Sequence, residues 1–261
     1  MATTATVNGG QILFYHDYGG DGPVVVLLHS FLMDHTMFAP QIAELGASFR
    51  LIGVDERGFG GTPATRPFGF WDVAQDILGL LDVLNIGRAA VVGVSQGGFI
   101  AMRMALLAPE RITTLCLLGT SAASEPPETA AAYRAIVADW KANGPEKHVD
   151  MVATLSMGDF DAKQIKARWL TLDRDQLVTS MEALVTRASL LPRLGEIRCP
   201  TLVLHGTADS AYEMRRAEEI AEGIKTAKPV VAIEGGAHYL SLTHPEYVNP
   251  HLRRFLSAQA C

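Results

Sequence analysis

Gly93-Val94-Ser95-Gln96-Gly97 decides the reading of this chain. The small apolar run Ala89 to Val94 leads into it, and a helical pattern from Gly98 to Leu107 leaves it. Strand, sharp turn and helix with a serine at the apex lift a hydroxyl out of the sheet edge, where a carbonyl can reach it. The flanking glycines suit a turn in which neighbouring backbone comes close. In a chain of 261 residues with 24 glycines, the surrounding pattern gives the motif its weight.

Working outward, short apolar runs alternate with helical ones. Strands are expected at 12–15, 24–28, 51–54, 89–94, 112–118, 201–205 and 230–233. The turn Gly19-Gly20-Asp21-Gly22-Pro23 separates the first two, which read as a hairpin-like antiparallel pair. Phe70, Val73, Ala74, Ile77, Leu78 and Leu81 follow helical spacing, as do Met214, Ala217, Ile220, Ala221 and Ile224. A last helix is expected over 245–256. This alternation implies an α/β architecture: a mostly parallel sheet with helices on both faces. From 120 to 194 only helical patterns occur, opened by Pro126-Pro127 and closed by Pro192. That segment reads as a helical cap inserted into a core formed by 1–119 and 195–261.

Composition excludes several classes. The net charge of −6 leaves no basic excess to replace the counterions of nucleic acid. With 48% hydrophobic and 19% charged residues, the chain reads as globular. Cys116, Cys199 and Cys261 are odd in number and widely spaced, which suits a reducing, cytoplasmic compartment. No signal peptide or membrane span is expected. His29 and His35 lack further ligands at metal spacing, so no metal is expected.

A serine hydroxyl needs a base, and the base needs a group that fixes its tautomer. His238 follows the strand at 230–233 through Glu234-Gly235-Gly236-Ala237 and is the candidate base. Asp209 follows the strand at 201–205 through Gly206-Thr207-Ala208 and is the candidate acid; it also suits a cap before Tyr212. Glu125 and Asp55 are the other acids weighed, and Asp55 reads as a turn residue bonded to nearby backbone. The oxyanion donors expected are the backbone amides of Gln96, next to the serine, and Phe31, in the loop His29-Ser30-Phe31. Leu32, Trp140, Met157 and Trp169, with Phe31, are candidates for the pocket lining. Apolar residues at helical spacing pack inside at least as often as they line a cavity, so a core role stays open for each.

Together and in order, His29-Ser30-Phe31, Asp55-Glu56-Arg57-Gly58-Phe59-Gly60, Gly93 to Gly97, Gly206 to Asp209, and Gly236-Ala237-His238 with Pro245 resemble the α/β-hydrolase superfamily along nearly the whole chain. Size and the short helical insertion resemble the 3-oxoadipate enol-lactonase-like esterases and lactonases. The resemblance implies an eight-stranded sheet, the triad Ser95, Asp209 and His238, and no cofactor. Three departures stand out. Ser30 occupies the position where the family usually has Gly. Gln96 stands where Met is frequent. Leu32 stands where perhydrolase-like members carry Pro. The reaction expected is hydrolysis of a small carboxylic ester or lactone through an acyl-enzyme on Ser95. Carbon–carbon bond hydrolysis, peracid formation and a slow-turnover ligand receptor are the alternatives on the same scaffold. A small-molecule substrate is the expected partner, with no nucleic acid and no membrane; a homo-oligomer stays open.

Overall fold

The apolar runs pair edge to edge into one eight-stranded sheet. The structure, a computed structural model, describes residues 2–259. Cys261 therefore lies outside the described residues. The strands are β1 (Ala2–Val7), β2 (Gln11–Asp17), β3 (Val24–Leu28), β4 (Arg50–Val54), β5 (Ala89–Val94), β6 (Ile112–Leu118), β7 (Thr201–Gly206) and β8 (Val231–Ile233). Their order across the sheet is β1-β2-β4-β3-β5-β6-β7-β8. The β1–β2 and β2–β4 pairs are antiparallel, and the remaining pairs are parallel.

Two details differ from the sequence reading. Residues 2–7 form a strand that the sequence reading omits. Their alternation of Thr with Ala and Val gives a weak apolar signal, yet Ala5 and Val7 are buried. The hairpin expected between 12–15 and 24–28 does not form. β2 instead turns back on β1 through Asn8-Gly9-Gly10, all at positive φ, and pairs with β4 on its other side. β3 is drawn between β4 and β5, where its residues 25–28 are fully buried.

The helices are α1 (Ala39–Leu45), α2 (Phe70–Val83), α3 (Gln96–Leu107), α4 (Pro127–Asn143), α5 (Val149–Met157), α6 (Lys163–Trp169), α7 (Arg174–Val185), α8 (Met214–Gly223), α9 (Leu240–Thr243) and α10 (Pro245–Ala258). Successive strand residues point to opposite faces. All six residues of β5 are buried, so both faces of the sheet centre are covered. α3 packs on β5 and β6, α2 on α3 and β1, and α8 on β7. Among the described residues no helix is long and apolar enough to cross a membrane.

Helices α4 to α7 lie between β6 and β7, and no strand interrupts them. A buried ion pair ties the two ends of this segment together. Arg187, just after α7, bonds Glu125, just before α4, at 2.7 Å, with both side chains 2% exposed. The guanidinium lies 4.0 Å from the Phe99 ring centroid, and the Tyr212 hydroxyl donates to Glu125 at 2.6 Å. Removing one partner of such a pair leaves an uncompensated buried charge. Arg187→Met is expected to lower unfolding free energy by about 3–5 kcal/mol, read from urea unfolding midpoints.

Candidate active site

Ser95 sits between β5 and α3 with φ 50° and ψ −108°, a region sparsely populated by residues other than glycine. Its surroundings hold it there. Its amide donates to the Leu118 carbonyl at 2.9 Å, and the Thr120 hydroxyl donates to its carbonyl at 2.7 Å. The glycines are a packing requirement. A Cβ on Gly93 would meet the Gly97 carbonyl oxygen at 2.4 Å, and one on Gly97 would meet that of Leu28 at 2.1 Å.

The structure brings together the three residues singled out from sequence. His238 Nε2 lies 2.9 Å from Ser95 Oγ. His238 Nδ1 lies 2.8 Å from Asp209 Oδ2 and 3.0 Å from Oδ1. A carboxylate accepts, so Nδ1 carries the hydrogen and Nε2 is left to accept the serine proton. Burial pushes the Asp209 carboxyl up. The His238 charge and hydrogen bond, with the Tyr212 amide, outweigh that and leave it below its ordinary value. Asp209 also accepts from the Ala211 and Tyr212 amides at 2.8 and 3.0 Å. It combines the turn role and the histidine contact, although the helix it was expected to cap begins later, at Met214. Glu125 is engaged by Arg187 and Tyr212. Asp55 accepts from the amides of His35 and Gly61 and from His35 Nδ1.

The Phe31 and Gln96 amides donate to no acceptor among the described residues. The Gln96 amide opens α3, where unpaired N–H groups and the helix dipole favour negative charge. The loop bearing Phe31 is fixed through its carbonyls. His29 Nε2 accepts from the Glu56 amide at 2.9 Å, so Nδ1 carries the hydrogen and donates to the Ser30 carbonyl at 2.7 Å. The Tyr239 hydroxyl donates to the Phe31 carbonyl at 2.7 Å. Trp169 Nε1 donates to the Leu32 carbonyl at 2.7 Å.

A cavity of about 170 Å³ opens over Ser95 and His238. Phe31, Leu32 and Trp140 line it, but Met157 and Trp169 do not. Trp169 is 1% exposed and turned inward, because a buried indole N–H seeks an acceptor and the Leu32 carbonyl supplies one. Met157, at the end of α5, instead faces a neighbouring cleft with Phe160, Gly235 and Ala237. The lining omitted from the sequence reading comes mainly from α4, α5 and α7, with Tyr133, Ile136, Val152, Leu177 and Met181, and from Tyr212 and Tyr239. The first five belong to the helical patterns between 120 and 194, which do not say what an apolar face meets. The Gln96 side chain points away from the cavity and bonds Glu56 Oε2 at 2.5 Å. Among the described residues no group of three or more His, Cys, Asp and Glu side chains could hold a metal ion.

Comparison with known proteins bears on the fold. A family model described as the alpha/beta hydrolase fold matches residues 23–149. The enol-lactonase of Burkholderia xenovorans LB400 superposes with a TM-score of 0.89 at 28% identity, over 98% of this chain and 100% of that one. The protein has the α/β-hydrolase fold. A thermophilic esterase from Thermogutta terrifontis superposes on this chain with a TM-score of 0.91 at 25% identity, over 100% of both chains. The polyketide synthase ThaQ of Burkholderia thailandensis is 30% identical over 91% of this chain, which spans 12% of that protein. Such relatives place this chain among hydrolytic enzymes.

Tyr239→Phe removes the hydroxyl that donates to the Phe31 carbonyl and that Ser30 and Ser156 approach. It is expected to lower kcat about tenfold with a smaller change in KM, the cost of about one buried hydrogen bond, measured by steady-state ester hydrolysis.

Proposed function

We propose that this protein cleaves small, uncharged carboxylic esters or lactones by two-step acyl transfer. The observation that carries the reading is His238, which bridges Ser95 and Asp209 at a cavity floor. Ser95 Oγ attacks the carbonyl carbon while His238 Nε2 takes its proton. The C–O bond of the tetrahedral intermediate then breaks, and His238 gives that proton to the leaving oxygen. Water repeats the sequence on the acyl-enzyme, releasing the acid and restoring Ser95. Asp209 stabilises the imidazolium in each half. The free amides of Phe31 and Gln96 receive the oxyanion, and such donors contribute about 3 kcal/mol each. Helices α4 to α7, with their connections across 120–194, form the cap that selects the substrate. A cytoplasmic location belongs to the same reading, supported by the free Cys116 and Cys199.

The cavity lining supports a neutral substrate. Among the described residues, no Lys, Arg, Asp or Glu lines it. A substrate carboxylate would lose its water there without gaining a charged partner. Peracid formation is less well supported. Leu32 has φ 64°, which proline, locked near −65°, cannot adopt, so the loop differs from the Pro-bearing one.

Two measurements test the proposal. Asp209→Asn should lower kcat on an aryl ester by about 10⁴ while leaving the fold intact by circular dichroism. A rate near wild type would remove Asp209 from the mechanism. A neutral ester should exceed its isosteric carboxylate-bearing analogue by about 100-fold in kcat/KM, and equal values would contradict the apolar-pocket reading.

A further inference from the structure

Behind the site, on the side away from the cavity, two buried polar side chains meet. Glu56 is fully buried and Gln96 is 2% exposed. Their contact, Gln96 Nε2 to Glu56 Oε2 at 2.5 Å, is one half of the ring that a carboxylic acid and a primary amide form together. The acceptors of the other half, Glu56 Oε1 and Gln96 Oε1, are both buried and both without a partner. Two orphaned buried acceptors on one pair of side chains are costly, and a proton on the acid turns one of them into a donor. With the amide turned the other way, the short contact becomes an O–H donated by Glu56, for which 2.5 Å is the short end of the usual range. The second orientation requires a proton on Glu56, and in the first a proton relieves an orphaned acceptor.

The neighbouring groups offer no other compensation. His29, from the loop after β3, uses Nε2 to accept the Glu56 amide and Nδ1–H to donate to Ser30. Arg57 is spent on Asp76 of α2, in bonds of 2.5 and 2.8 Å. Asp55 is spent on His35 and Gly61. Among the described residues no cation pairs with Glu56.

We propose that Glu56 is a neutral acid sharing one buried proton with the Gln96 side chain, and that its ionisation weakens the oxyanion site. The inference rests on the reading of Gln96 and Phe31 as oxyanion donors. Glu56 joins the two segments that carry them. Its side chain holds Gln96, and its amide holds His29, whose carbonyl in turn accepts the Gly97 amide at 3.0 Å. An anion there would stand behind both donors and oppose the charge that develops in front of them. Burial raises the Glu56 carboxyl to about 7, against smaller downward effects from His29 and Gln96. Glu56 is thus a positioning residue whose charge state is set within the working pH range.

The test uses the full chain and its Glu56→Gln variant, in which two amides keep the ring without a titrating proton. Infrared difference spectra of wild type against Glu56→Gln should show a protonated carboxyl band below neutral pH, lost with a midpoint near 7. That band reads the proton without any turnover. On a neutral aryl ester, wild-type kcat should fall about tenfold through the same midpoint, the scale of one charge acting across a protein interior, and Glu56→Gln should abolish the fall. Gln96→Met supplies a second check. Loss of the Gln96 partner should move the band midpoint, and an unmoved midpoint would overturn the shared proton. Absence of the band at pH 6 would overturn it as well. A band without a kcat limb, or a limb kept in Glu56→Gln, would overturn the effect on the oxyanion site. A titrating band in a protein that hydrolyses no ester would leave the proton in place and refute the hydrolase reading instead.

Discussion

Ser95 is held at a backbone conformation that an L-residue adopts only under constraint, and the rest of the site is arranged around it. Strain of this kind costs about 1–3 kcal/mol and persists only where the surroundings over-determine it. Here the surroundings are the sheet centre. β5 enters the turn fully buried, α3 leaves it packed on β5 and β6, and Leu118 and Thr120 fix the Ser95 amide and carbonyl. The crowding at Gly93 and Gly97 is the geometric result of that tightness. The same turn makes the Gln96 amide the first, unpaired donor of a helix directly beside the serine hydroxyl.

The loop at 30–32 is fixed through all three of its carbonyls, with the Ser30 amide donating to Met37 Sδ. Ser30 is held by His29 of its own loop, Phe31 by Tyr239 beside the histidine, and Leu32 by Trp169 of α6. Two distant stretches of chain and a neighbouring histidine therefore meet on three consecutive residues. Leu32, at positive φ, is the member under strain, and its tie comes from the inserted helices. Together with the Glu125–Arg187 pair at the base of those helices, this links the cavity walls mechanically to the proposed oxyanion donors.

Legibility in the sequence followed the range of the forces involved. The meeting of Ser95, Asp209 and His238 was readable because each sits in a glycine-bearing loop straight after an apolar run, a local signature that carries its own geometry. Most strands were readable for the same reason, since buried parallel strands are continuous apolar runs. The first strand was not, because its threonines mask a half-buried edge. The partner of β2 was not, because pairing depends on which strands the chain inserts later. Trp169 and Met157 shared the spacing of Trp140, and only the packing of helix against loop separates a wall residue from a core one. The Glu56–Gln96 contact was equally hidden, since forty positions separate the two residues and neither motif refers to the other.

The central claim is that Ser95 is the single group acylated. Mass spectrometry after treatment with a fluorophosphonate tests it most directly, with the adduct located by peptide mapping and ester hydrolysis followed in parallel. The account predicts one adduct per chain, on the peptide bearing Ser95, with activity lost in proportion to labelling. An adduct on another residue, or hydrolysis that survives complete labelling of Ser95, would contradict it.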